Sequence, residues 1–101
     1  MLFRSYLFFI AEALVAAGVA EGLDGSTADA LVRQLFLGAG TLLATSTESP
    51  SKLRENVTSP NGTTAAGLAA LGAAGGREAL IAAVRAATAR SVELGREADR
   101  K

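Results

Sequence analysis

The chain has 101 residues, of which 50% are apolar and only 5% aromatic, and its 10 basic residues balance its 10 acidic residues. A neutral chain of this size fits one domain and disfavours nucleic acid as the main partner, because phosphate contacts need clustered cations. Neither cysteine nor histidine occurs in the sequence, which excludes disulfides, thiolate chemistry, histidine-based metal sites and a Ser-His-Asp arrangement.

The first segment is strongly apolar, and we predict a buried helix from about Ser5 to Ala20. Acidic residues at Glu12 and Glu21 restrict the clean apolar run to Ala13–Ala20, whereas a membrane span needs ~20 apolar residues. An acidic residue inside the apolar segment also argues against a signal peptide. We therefore expect no membrane partner, with a membrane-surface helical protein led by residues 6–10 as the weaker alternative.

The segment Glu21–Ser26 is predicted to be a loop that separates this helix from a second one, spanning about Thr27–Ser46. Gly22 suits the end of the first helix, and Asp24 or Ser26 suits the start of the second.

One face of the second helix is apolar, and Asp29 and Arg33 are spaced for an i,i+4 ion pair. The small residues Gly38 and Gly40 on this helix suit the close approach of another helix. The apolar stripe consists of Leu31, Leu35, Gly38 and Leu42.

Turn chemistry, hydroxyl groups and a predicted helix start coincide at residues 57–64, Val-Thr-Ser-Pro-Asn-Gly-Thr-Thr. Pro60 restricts its own backbone, and Asn61-Gly62 favours a tight turn because both residues tolerate positive φ. Thr63 or Thr64 is then expected to cap the next helix.

A helix start leaves backbone N–H groups unpaired and carries partial positive charge. Such a site binds a carboxylate or a phosphate without a lysine or arginine. The competing interpretation is an ordinary turn and cap that join two helices.

The rest of the chain also has helical character. A short helix is predicted to begin at Ser49-Pro50, with proline in the first helical position. Helices are predicted over Thr64–Leu71 and about Arg77–Arg96, separated by the glycine-rich stretch 72–76. The charged residues 97–101 are expected to fray. The predicted fold class is all-α, a bundle of about five helices.

Residues 53–68 resemble the signature of pyrroline-5-carboxylate reductases, which runs roughly Leu-Arg-Asp-x-Val-[Thr/Ser]-Ser-Pro-Gly-Gly-[Thr/Ala]-Thr-x-x-[Gly/Ala]-Leu. Glu55 replaces the usual Asp, and Asn61 replaces the first Gly of the pair. Residues 6–19 are similar to the first helix of the C-terminal domain of these enzymes, and Gly75-Gly76 before Arg77 also fits the family. The resemblance extends from about residue 6 to residue 95.

The resemblance implies an all-helical, interlocking dimerisation domain like the C-terminal domain of 6-phosphogluconate dehydrogenase. In this family the domain forms a homodimer, sometimes within a higher oligomer, and follows a Rossmann domain that binds NADPH or NADH. Family members reduce 1-pyrroline-5-carboxylate to L-proline in cytoplasmic proline biosynthesis.

The resemblance also implies the site. The backbone N–H groups of Thr63 and Thr64, with Gly62 beside them, would bind the substrate carboxylate. The Thr64 hydroxyl would contact the ring nitrogen, and Val57 and Ser59 would line the pocket. The resemblance assigns no certain catalytic residue, no cofactor-binding residue and no metal ligand to this chain.

We expect residues 1–5 to be truncation or junction residues, residues 6–96 to form the dimerisation and substrate-binding domain, and residues 97–101 to form the charged tail. Because no Gly-x-Gly-x-x-Gly follows a strand pattern, the chain alone is expected to be inactive. The alternative function is a non-catalytic helical interaction module.

Overall fold

The computed structural model describes residues 3–100, and these residues form five helices and no strand. The helices are α1 (Arg4–Ala20), α2 (Gly25–Thr45), α3 (Pro50–Asn56), α4 (Thr63–Ala73) and α5 (Gly76–Asp99). The prediction of an all-α fold with about five helices is confirmed. The described chain divides into two compact units, residues 3–53 and residues 54–100, with the boundary inside α3.

Unit 1 is built on the packing of α1 against α2. Ala28 and Val32 of α2 are its buried residues, with exposed fractions of 1% and 8%. A Cβ atom at Gly18 of α1 would lie 3.3 Å from the Cβ of Ala28 and 3.3 Å from Cδ1 of Leu23. Glycine therefore allows the backbone of α1 to approach α2 closely.

The end of α1 has the hydrogen bonds of a Schellman motif. The Leu23 N–H donates to the Gly18 carbonyl at 3.0 Å, and the Gly22 N–H donates to the Val19 carbonyl at 3.0 Å. Gly22 has a φ of +106°, which side chains disfavour. The prediction that Gly22 ends the first helix is confirmed.

The prediction that the first segment is a buried helix is wrong in one respect: α1 forms, but none of its residues is buried. Phe8 and Phe9 are 63% and 72% exposed. The physical reason is that an apolar sequence favours burial but cannot supply neighbours, and within unit 1 only α2 packs extensively against α1.

Unit 2 contains α4 and α5, joined through Ala74 and Gly75, with a left-handed Gly75 at φ +81°. No described residue of this unit is buried. The helix α5 runs to Asp99, beyond its predicted end near Arg96, and fraying of the charged residues 97–101 stays a prediction. The Arg90 Nη1 atom lies 2.9 Å from Oε2 of Glu93 and 3.6 Å from Oε1 of Glu97. These ion pairs support the last turns of the helix.

None of the described helices is by itself long and apolar enough to cross a membrane. Taken as one bent pair, with an angle of 49° between them, α4 and α5 would qualify by length and composition alone.

Candidate functional site

A tight turn positions the loop before α4. The Gly62 N–H donates to the Ser59 carbonyl at 3.1 Å, and Asn61 adopts a φ of +60°. Proline in the second position and a left-handed residue in the third are typical of a type II turn. The prediction of a tight turn is confirmed, with positive φ confined to Asn61, because Gly62 has a φ of −88°.

The N-cap residue of α4 is Gly62, with extended backbone angles of φ −88° and ψ −176°, and no side chain caps this helix. The prediction that Thr63 or Thr64 is the cap is therefore wrong. The turn already places Gly62 in the extended conformation that a cap requires. Thr63 and Thr64 consequently occupy the first two helical positions.

This shift of the cap determines which N–H groups are free. The first backbone hydrogen bond of α4 runs from the Ala66 N–H to the Gly62 carbonyl at 3.1 Å. The N–H groups of Thr63, Thr64 and Ala65 have no acceptor within residues 3–100. They form a set of three consecutive donors at the positive end of a helix, which suits a carboxylate.

Ala65 is a donor that the sequence interpretation did not include. A cap placed at Gly62 would have indicated it, because the first few N–H groups after any cap lack helical acceptors.

The beginning of the loop is held to the end of α3. The Thr58 hydroxyl donates to the Arg54 carbonyl at 2.6 Å, and the Thr58 N–H donates to the Glu55 carbonyl at 3.2 Å. Thr58 is half-buried, whereas Val57 and Ser59 are exposed. Thr58 therefore anchors the loop and leaves its two neighbours accessible.

All the predicted site residues lie on this loop of unit 2 or in the first turn of α4 that follows it. Gly62 is half-buried, and the side chains of the other four are exposed to solvent. The roles predicted for them toward a substrate stay predictions. These residues are Val57, Ser59, Gly62, Thr63 and Thr64.

Unit 1 carries an apolar groove between α1 and α2, with a volume of about 670 Å³. At its rim, the Arg33 Nε donates to the Asp29 carboxylate at 2.7 Å, which confirms the predicted ion pair. This hydrogen bond, together with the charge of Asp29, raises the pKa of Arg33. The apolar side chains of the groove are Phe8, Ala11, Val15, Ala16, Val32 and Phe36.

Further apolar side chains are exposed on both units. On α2, Leu31 and Leu35 are 55% and 54% exposed. A Cβ atom at Gly38 or Gly40 would meet nothing within 4 Å. On α5, the exposed apolar residues are Leu80, Ile81, Val84, Val92 and Leu94.

Comparison with known proteins places this architecture in a family. Residues 4–94 match the family model described as pyrroline-5-carboxylate reductase dimerisation. A pyrroline-5-carboxylate reductase of Synechocystis is 44% identical over 93 residues, covering 92% of this chain and 35% of the relative. Pyrroline-5-carboxylate reductase 1 of Bacillus spizizenii is 42% identical over 90 residues, covering 89% of this chain and 30% of the relative.

A solved structure has the same fold. The crystal structure of Plasmodium falciparum pyrroline carboxylate reductase with NADP bound is similar with a TM-score of 0.78 and 32% sequence identity, covering 81% of this chain and 33% of that chain. The chain thus spans about a third of the length of the curated relatives it matches. The family match covers nearly all of the described helices, and the chain belongs to the pyrroline-5-carboxylate reductase dimerisation family.

Proposed function

We propose that this chain is the dimerisation and substrate-binding part of an enzyme that reduces 1-pyrroline-5-carboxylate to L-proline with NADPH or NADH. The observation that carries the proposal is the start of α4, where three free N–H groups follow a glycine cap within a sequence that matches the family. A cytoplasmic location in proline biosynthesis is part of the same proposal.

In the proposed complex, the substrate carboxylate accepts hydrogen bonds from the N–H groups of Thr63 and Thr64. The Thr64 hydroxyl hydrogen-bonds the ring nitrogen, and Val57 and Ser59 line the site. A hydrogen bond to a charged group contributes about 1.5–3 kcal/mol, so backbone donors can hold this anion without a cationic side chain.

The described residues do not fit a dinucleotide. Pyrophosphate binding in a Rossmann domain uses a glycine-rich turn between a strand and a helix, and residues 3–100 form helices only. We therefore assign the NAD(P)H site to a cofactor domain of the full-length enzyme. The role of this chain is to bind and orient the substrate.

A homodimer is the second part of the proposal. Large apolar side chains are exposed on each unit, and exposed apolar patches mark surfaces that a partner covers. The unit 1 groove, the leucines of α2 and the apolar residues of α5 are surfaces that a second copy can cover.

Titration calorimetry with L-proline, the product, tests substrate binding. We expect Thr64→Val to weaken binding, because valine keeps the shape of threonine and removes the hydroxyl. Thr88→Val is the matched control, since Thr88 is an exposed threonine on α5 of the same unit. Equal affinity in the wild type and both variants would contradict the role of Thr64. No binding by the full-length enzyme would favour the non-catalytic interaction module.

Light scattering of the purified chain tests the homodimer. We expect the mass of two chains or of a multiple of two, and Leu35→Asp should shift that mass toward one chain. A folded monomer in the wild type would contradict the proposed homodimer.

A further inference from the structure

The loop before α4 contains the chain's only Asn-Gly pair, at Asn61-Gly62. The side-chain amide of an asparagine can be attacked by the backbone nitrogen of the following residue, and a glycine there presents no Cβ to block the approach. Asn61 is exposed and lies at the third position of a surface turn. The pair is therefore both chemically susceptible and accessible to water.

We propose that Asn61 is a site of spontaneous deamidation that places a negative charge beside the anion-binding end of α4. The Gly62 nitrogen forms a bond to Cγ of Asn61, the bond from Cγ to the side-chain nitrogen breaks, and ammonia leaves with the proton that the Gly62 nitrogen loses. Water then opens the cyclic imide at either carbonyl, which yields aspartate or isoaspartate at position 61. No oxidant or reductant takes part.

The turn itself controls this step. In the closed turn the Gly62 N–H donates to the Ser59 carbonyl at 3.1 Å, and the nitrogen has to lose that hydrogen bond before it can attack. The rate of deamidation consequently reports how often the turn opens.

The other asparagine of the chain is an internal control. Asn56 is the last residue of α3 and precedes Val57, whose branched Cβ hinders attack by its nitrogen. The two sites share one protein and one buffer and differ in local conformation and in the residue that follows.

The expected consequence rests on the proposed function. A carboxylate at position 61 would lie two residues before Thr63 and three before Thr64, close to their free N–H groups, where negative charge is favourable for the helix. The same charge repels a bound carboxylate. We expect Asn61→Asp to weaken L-proline binding by about fivefold or more, from two like charges ~5 Å apart in partly solvated surroundings.

The experiment ages the purified full chain in mildly alkaline buffer and maps peptides by mass spectrometry at intervals. We expect aspartate and isoaspartate to accumulate at position 61 well before any change at Asn56, and the Asn61→Gly variant to acquire no charge in the turn. Conversion at Asn56 as fast as at Asn61, or no conversion at Asn61 while Asn56 changes, would overturn the proposed site.

Calorimetry on Asn61→Asp and Asn61→Gly separates the modification from its consequence. Weaker L-proline binding by Asn61→Asp than by Asn61→Gly supports the charge effect, and equal binding overturns it. If the wild type binds no proline, the proposed substrate site fails, whereas the peptide map still decides the modification.

Discussion

Two helices of this chain begin after tight turns, and their first residues are used in opposite ways. The N-cap of α2 is Asp24, with φ −62° and ψ 143°, and the N-cap of α4 is Gly62, with φ −88° and ψ −176°. Both residues are extended, so the backbone role is the same. The difference is that Asp24 brings a carboxylate and Gly62 brings no side chain.

The carboxylate of Asp24 lies at the start of α2 but makes no capping hydrogen bond to the helix backbone. The Ser26 hydroxyl donates a hydrogen bond to it, and this bond holds the pKa of Asp24 below its ordinary value. At α4 the N–H groups of Thr63, Thr64 and Ala65 have no such anion among residues 3–100. The proposed anion site therefore has three backbone donors and no side chain of its own cap residue that could compete for them.

The largest expected effect comes from giving α4 the acidic N-cap residue that α2 has. In Gly62→Asp, the new carboxylate accepts from the N–H groups of Thr64 and Ala65, as an N-cap side chain does, and it therefore competes with the ligand at Thr64. We expect L-proline affinity to fall by about tenfold or more, because a hydrogen bond to a charged group contributes about 1.5–3 kcal/mol. Titration calorimetry measures the change.

Gly62→Ala is the matched control for that variant. A Cβ at this position lies 3.2 Å from the Ser59 carbonyl oxygen, so both variants crowd the turn and only one adds a charge. Equal losses of affinity would show that crowding, and not the carboxylate, closes the site.

The turn before α2 has a left-handed glycine, Gly22, whereas the left-handed residue of the turn before α4 is Asn61. Gly22→Ala should lower the free energy of unfolding by about 1–2 kcal/mol, because alanine disfavours the left-handed region and Gly22 has a φ of +106°. A Cβ there would meet nothing within 4 Å, so the loss comes from backbone strain. Urea denaturation measures it.

Gly95→Ala is the comparison for Gly22→Ala. Gly95 lies within α5, and a Cβ there would also meet nothing within 4 Å, but alanine is favoured at this helical position by up to ~1 kcal/mol. A loss of stability of similar size in both variants would argue against the strain at Gly22.

The hydrogen-bonded carboxylate of Asp24 at the start of α2 predicts a pH dependence that α4 lacks. Since the folded pKa of Asp24 lies below its ordinary value of 3.8, the folded state binds the proton less tightly than the unfolded state. The stabilisation is complete above 3.8 and is lost as the pH falls through the lower, folded-state pKa. Thermal melts at decreasing pH should show this loss in the wild type and a smaller one in Asp24→Asn.

The smallest expected effect is that of Ser26→Ala. Removing the hydroxyl donor should raise the pKa of Asp24 toward 3.8 and leave the melting temperature at neutral pH nearly unchanged, because both side chains are exposed. An NMR titration of the Asp24 carboxyl group measures the shift. An unchanged pKa would mean that the Ser26 hydroxyl does not hold the carboxylate in solution.

Local sequence determined most of the secondary structure of this protein. The number of helices, the glycine end of α1 and the ion pair between Asp29 and Arg33 follow from residues close together in the chain. The start of α3 is another such case, where the Ser49 hydroxyl accepts the Lys52 N–H at 3.1 Å. Caps, turns and i,i+4 pairs depend on a few neighbouring residues, so the sequence is enough to predict them.

The position of the N-cap of α4 is a feature that local sequence did not predict. Gly62, Thr63 and Thr64 are all acceptable near a helix start, and propensity alone did not choose among them. The hydrogen bond from the Gly62 N–H to the Ser59 carbonyl closes the turn and makes Gly62 the N-cap. Because the helix begins directly after Gly62, the N–H of Ala65 also belongs to the set of free donors.

Only the tertiary structure decided which apolar residues are covered. Leu31 and Leu35 of the leucine stripe stay exposed, whereas Ala28 and Val32 of the same helix are buried, so the packing of α1 selected the row that contains Ala28 and Val32. The close approach at Gly18 explains the selection, because Ala28 fits against a residue without a Cβ. The hydrophobicity of a side chain makes its burial favourable. The shape of the neighbouring helix determines which of these side chains are buried.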